Sequence, residues 1–166
     1  MAEVFDKEFE LEEDTQKDRY LTFLIGSECY GIEISYVTEI IGIQAITAIP
    51  ELPEYVRGII NLRGKIIPVM DVRIRFKKEA REYNDRTCVI VVDIKDISIG
   101  LIVDSVAEVL TIPEQDIVDP PQVNRMNNRY IRKIGKAGNA VKLLLDCEKL
   151  LSENELEDIS ESIQAS

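Results

Sequence analysis

Asn61, Arg63 and Gly64 stand at the turn of one run, Val56-Arg57-Gly58-Ile59-Ile60-Asn61-Leu62-Arg63-Gly64-Lys65-Ile66-Ile67-Pro68-Val69-Met70-Asp71-Val72-Arg73. Their types suit recognition rather than bond making. A guanidinium offers five donors in a fixed fork, which can hold a loop or a helix end. Gly58 and Gly64 permit positive φ. A plainer role for Arg63, a hydrogen bond to nearby backbone, also fits. The run is not a phosphate loop. Five residues separate Gly58 from Gly64-Lys65 where that motif needs four, and Ile66 stands where a Mg²⁺-binding Ser or Thr belongs.

Little else in the chain could do chemistry. Histidine is absent, which removes the commonest general base and metal ligand and any Ser-His-Asp or Cys-His arrangement. Cys29, Cys88 and Cys147 are far apart in apolar contexts and read as small buried hydrophobes, not as a disulfide or metal set. Asp93 and Asp96 bracket an expected hairpin turn, where carboxylates are turn formers. No cofactor and no metal is expected, and the chain does not read as an enzyme.

The net charge of −11 is concentrated at the ends. Met1 to Asp18 holds eight acids and two lysines, and Ser152 to Ser166 five acids and no base. Arg19 to Leu151 is balanced, with 18 of each sign. The segments 1–18 and 152–166 therefore read as flexible acidic tails that keep the protein soluble. A neutral body, in a chain with six Tyr, four Phe and no Trp, argues against a nucleic-acid binder. No apolar run approaches the roughly 18 residues needed to span a membrane. With no signal-peptide or lipidation pattern, the expectation is a soluble cytoplasmic protein without membrane insertion.

The elements that would position the turn are short strands, and they repeat. Tyr30 to Ile41 aligns with Ile99 to Leu110 at an offset of 69 residues (Gly31 to Gly100). Tyr20 to Ile25 aligns with Val89 to Ile94 at the same offset, and Val56 to Asp71 with Ile131 to Asp146 at 75. The first copy predicts strands over Tyr20 to Gly26, Tyr30 to Ile34, Val37 to Ile43, Gly58 to Leu62 and Lys65 to Val72. The second predicts Thr87 to Ile94, Ile97 to Val103, Ala107 to Ile112, Ile131 to Ala137 and Ala140 to Cys147. Five Ile- and Val-rich strands per copy suggest a small closed barrel, and two such barrels should pack together. Subdomain 1 is placed at roughly 19–76 and subdomain 2 at 86–147, joined by the polar stretch Arg75 to Asn84. Pro68 implies an edge strand or a bulge. Glu148 to Leu151 and Asn154 to Ile159 read as short helical turns, with Ser152 as a cap.

The run from Val56 to Asp71 resembles the signature V-x-G-h-h-N-L-R-G-x-h-h-P-h-h-D (h apolar) of the CheW-like domain family of chemotaxis coupling proteins. Tyr30-Gly31-Ile32-Glu33-Ile34 with Val37-x-Glu39-Ile40 is similar to its N-terminal motif. Ile99-Gly100-Leu101-Ile102-Val103-Asp104-x-Val106 and Leu145-Asp146-x-Glu148-Lys149-Leu150-Leu151 resemble later ones. The resemblance spans residues 19–151 and implies an all-β fold of two five-stranded SH3-like barrels. It implies an adaptor that links a chemoreceptor (methyl-accepting chemotaxis protein) cytoplasmic tip to the regulatory domain of the histidine kinase CheA. Receptor contacts would fall on Val37, Glu39, Ile40, Gly58, Asn61, Arg63 and Gly64, in an apolar groove between the barrels. Val37 and Ile40 equally suit a core, and Glu39 a solvated strand. The resemblance assigns no kinase-binding residues. A scaffold of another receptor–kinase pathway, such as twitching motility, is the nearest alternative, and a small-barrel nucleic-acid binder the remote one.

Overall fold

Among the described residues, eleven strands form over apolar runs, most of them rich in Ile and Val, set between turn residues. They are β1 (Arg19–Ile25), β2 (Glu28–Glu33), β3 (Val37–Gly42), β4 (Val56–Leu62), β5 (Lys65–Asp71), β6 (Cys88–Ile94), β7 (Ile97–Val103), β8 (Ser105–Thr111), β9 (Ile117–Val118), β10 (Ile131–Ala137) and β11 (Ala140–Leu145). One short helix follows the last strand of each copy: α1 (Val72–Arg75) after β5 and α2 (Cys147–Leu150) after β11. The structure is a computed structural model, and it describes residues 17–121, 129–151, 155, 157–159 and 161. Residues 1–16, most of the N-terminal tail expected above, lie outside the described residues, as do Ser152 and Asn154.

The strands form a six-stranded sheet, β8-β1-β2-β11-β10-β9, and a five-stranded sheet, β3-β6-β7-β5-β4. Each sheet mixes the two sequence copies. The first hairpin of each copy, β1–β2 or β6–β7, is inserted between strands of the other. The segments 19–76 and 86–147 therefore describe the repeat, while the sheets follow a different partition. Under the offsets of 69 and 75 the strand orders superpose, with β9 as the only addition. The irregularities superpose as well. The register shift between Val56 and Gly58 recurs between Ile131 and Lys133. Asp71 caps α1 by accepting from Arg73 N at 2.9 Å, and Asp146 caps α2 by accepting from Glu148 N at 3.0 Å.

The architecture is two small SH3-like β-barrels packed together. The five-stranded one is not closed by a continuous ladder. The chain beyond β3 bends across, and a single bridge, Thr47 to Ile59, joins it to β4. In the six-stranded sheet the two-residue β9 pairs with Ile134 and Gly135 of β10 at the equivalent place. The central core lies between the sheets, where Leu21, Phe23 and Ile32 meet Ile90, Ile99 and Leu101. A second cluster, including Ile60, Ile67, Val69, Val89 and Ile102, fills the five-stranded barrel. The β6 strand is thus buried on both faces.

Four expectations are corrected. Pro68 sits in β5, an interior strand. It is tolerated there because Ile59, its partner on β4, turns its N–H and C=O to Thr47, and the ladder to β7 begins only at Val69. Cys29 and Cys88 are half-buried, and only Cys147 is buried. Burial pushes the Cys147 thiol up to about 12, which leaves it inert at neutral pH. Of the Asp93–Asp96 pair, only Asp96 is a turn residue, with Lys95 and Asp96 at φ 49° and 67°, while Asp93 accepts from Ser98 Oγ at 2.8 Å. Within the C-terminal segment, Ile159 is 2% exposed in the central core, and Glu155 pairs with Arg75 at 3.1 Å. That part of the expected tail is docked.

Candidate functional site

The β4–β5 hairpin turns through Arg63 and Gly64, at φ 52° and 88°. Positive φ at both central residues matches the right-handed twist of the flanking strands. Gly64 adopts it without cost, whereas an Arg there carries strain of about 1–2 kcal/mol. Asn61 Oδ1 accepts from Gly64 N at 2.8 Å and braces the turn. The guanidinium of Arg63 bonds the carboxylate of Glu39, 24 residues away on β3. The Arg63 side chain is nonetheless 70% exposed, so most of its donors face outward.

Glu39 stands on an outer strand of the five-stranded sheet, just after a register shift between Val37 and Glu39 in the pairing with β6. Val37 is half-buried against the central core. Ile40 is 42% exposed, although its partner Ile90 is fully buried. Ile66 is also 42% exposed, and its partner is Asn61. Both isoleucines alternate with residues of the inner cluster, Ile41 and Ile67. They therefore occupy the outer face of this sheet, where the other sheet does not cover it.

Gly58 contributes no contact surface. Its φ is +144°, and a Cβ there would lie 2.1 Å from the Thr47 carbonyl oxygen. It lets the chain beyond β3 lie directly on β4. The structure thus brings Glu39 to Arg63 and Asn61 to Gly64, and makes Gly58 a structural support. Val37 is assigned to the margin of the core and Ile40 to the surface. The second copy lacks this tip. Its aligned residues are Lys136, Gly138 and Asn139, and Gly138, at φ 63°, has no side chain to reach the Glu108 that aligns with Glu39.

Of the seven residues, Ile40, Asn61, Arg63 and Gly64 are exposed, Val37 and Glu39 are half-buried, and Gly58 is buried. Two clefts lie elsewhere and include none of them. One, about 610 Å³, is bordered by Tyr20, Glu33, Glu114, Arg132 and Leu144. The other, about 500 Å³, is bordered by Asp71, Arg81, Tyr83 and Asp104. They are repeat-equivalent, since Lys17, Asp18, Glu33 and Ser35 align with Arg86, Thr87, Ile102 and Asp104.

Sequence reasoning missed two clusters. Asp104 accepts from Arg73 Nε (2.9 Å) and Nη2 (2.8 Å), from Gly26 N (2.7 Å) and from Arg81 (3.2 Å). Burial pulls its carboxyl up, but these bonds outweigh it and hold the group below the ordinary carboxylate range. Arg75 lies over the rings of Tyr55 and Tyr130, at 4.1 and 5.1 Å, and donates to the Leu150 carbonyl at 2.8 Å. The tyrosines are repeat-equivalent at the offset of 75, the one signal available in sequence. Among the described residues no group of three or more His, Cys, Asp or Glu could hold a metal, and no helix is long and apolar enough to cross a membrane.

The CheW-like domain profile matches residues 19–155. The chain is 35% identical over 144 residues to the chemotaxis protein CheW of Klebsiella aerogenes, covering 86% of this chain and 87% of that one. It is 34% identical over 145 residues to CheW of Treponema pallidum, covering 84% and 85%. The crystal structure of the scaffolding protein TtCheW from Thermoanaerobacter tengcongensis superposes with a TM-score of 0.77 at 37% identity, covering 83% of this chain and 94% of that one. With its signature hairpin in place and its strand order built on the same two-barrel plan, the chain belongs to the CheW-like domain family.

Proposed function

We propose that this protein is a bacterial chemotaxis adaptor that couples the cytoplasmic tips of chemoreceptors to the histidine kinase CheA, acting as a scaffold without catalysis of its own. The observation that carries this is the surface at the β4–β5 tip. A mostly exposed guanidinium is fixed by Glu39, and uncovered Ile40 and Ile66 lie on the outer face of the same sheet. An apolar surface with a few fixed polar groups is what an amphipathic helix docks against, and a receptor tip is a helical hairpin. Val37, Glu39, Ile40, Asn61, Arg63 and Gly64 would meet the receptor or shape the surface that does, and Gly58 would support it from beneath. The kinase would contact the protein through its regulatory domain, and the protein would reach the membrane only through these partners.

The test titrates the purified protein against a receptor cytoplasmic hairpin and a CheA regulatory domain, each alone and together, and follows kinase activity with all three present. Binding to each partner and receptor-dependent change in kinase output are expected. Kinase activity indifferent to the protein across a full titration would overturn the proposal. Running receptors of a second motility pathway in parallel decides between chemotaxis and another receptor–kinase system.

A further inference from the structure

We infer that Thr47 is a positioning residue, the clasp of a seam that holds Glu39 beneath Arg63. The inference rests on the reading of the β4–β5 tip as the receptor surface. Glu39 and Arg63 sit on β3 and on the tip of β4–β5, the two sides of the five-stranded sheet that no ladder joins. What links those sides is the stretch 43–47. Ile43 and Ile46 pack on the inner cluster, and Ile43 N donates to Thr87 O at 3.2 Å. The stretch ends in two backbone bonds, Thr47 N to Ile59 O and Ile59 N to Thr47 O, both 2.9 Å. Gly58 makes the approach possible, because any side chain there would run into the Thr47 backbone. With the seam closed at Thr47–Ile59, the relative position of β3 and the hairpin is set, and a guanidinium four residues past Ile59 meets the Glu39 carboxylate. The second copy has the same seam, at β9 and β10, but Gly138 at its tip. The clasp is common to both copies, and only the first uses it to place a charged group.

Thr47 is exposed, so Thr47→Pro deletes the N–H of the clasp and removes no packing. In free protein, NMR should show the Arg63 guanidinium released from Glu39 while amide protection in β1, β2, β10 and β11 is retained. Receptor-hairpin affinity should fall about tenfold, the scale of one charge-assisted hydrogen bond. The two changes should not add. In an Arg63→Ala background, Thr47→Pro should cost no further affinity, since both act through one ion pair. Persistence of the Arg63–Glu39 pair in Thr47→Pro overturns the inference, as does an unchanged affinity or an additive double mutant. If wild type itself fails to bind the hairpin, the receptor reading falls, and the spectrum of the free protein still decides whether the seam holds Arg63. A backbone ester at Thr47, which removes the same N–H without a proline ring, serves if the proline variant does not fold.

Discussion

Arg63→Asn separates the two roles open to this residue, because they predict opposite signs for stability and binding. Arg63 is at φ 52° and is followed by Gly64 at 88°. Asn-Gly is the preferred dipeptide for a turn with both central φ positive. Replacing Arg relieves about 1 kcal/mol of left-handed strain. It also deletes the ion pair with Glu39, whose partners are 70% and 31% exposed, so the loss is about 0.5 kcal/mol. The balance is a gain of about 0.5 kcal/mol, or an increase of about 1–2 °C in Tm for a chain of this size. Receptor binding should move the other way, weakening about ten- to a hundredfold for a lost charge-assisted hydrogen bond worth about 1.5–3 kcal/mol. Thermal melts and titration with a receptor hairpin read the two quantities on one sample. A variant that melts several degrees lower would make Arg63 a structural residue. A variant that is as stable as wild type and binds equally well would remove it from the receptor surface. Lys136→Ala, on the second copy's hairpin, should leave binding nearly unchanged.

Other changes probe the framework. Gly58→Ala forces a Cβ onto the Thr47 backbone at a φ of +144° and should cost at least about 2–3 kcal/mol, read as a drop in the denaturant midpoint. Ile159→Ala should cost about 2–4 kcal/mol because Ile159 is buried in the central core, and an unchanged melt would show that the C-terminal segment contributes nothing to it. Asp104 is depressed in the folded state, so its contribution is complete above the ordinary carboxylate pKa of about 4 and is lost as pH falls through its lower folded value. Wild type should therefore lose more stability than Asp104→Asn between pH 6 and pH 3 in urea titrations, and parallel curves would count against that account.

Local chemistry was legible in the sequence. Short apolar runs between turn residues, most of them rich in Ile and Val, mark ten of the eleven strands described, because a strand needs β-branched and apolar side chains on whichever face it buries. The turns at Gly26, Arg63-Gly64 and Gly138 were legible for the same reason, since the residues at a turn must themselves tolerate its φ. The duplication was readable because equal strands face equal packing demands at offsets of 69 and 75. The family signature named Glu39, Gly58 and Arg63 as a set without saying what relates them.

What only the tertiary structure decided is pairing at long range. Which copy each hairpin joins depends on the edges offered by β3, β5, β8 and β11, and both copies present nearly the same chemistry there, so no local pattern distinguishes a hairpin that stays home from one that is exchanged. Pro68 was misplaced because the freedom of its missing N–H depends on where Ile59 turns its own bonds. Ile159 looked like tail because its neighbours are acidic, yet one apolar side chain reaching a shared core outweighs a polar context. Gly58 and Thr47 illustrate the division. A glycine's tolerance of φ +144° is a property of the residue, but the chain that must pass over it belongs to the fold.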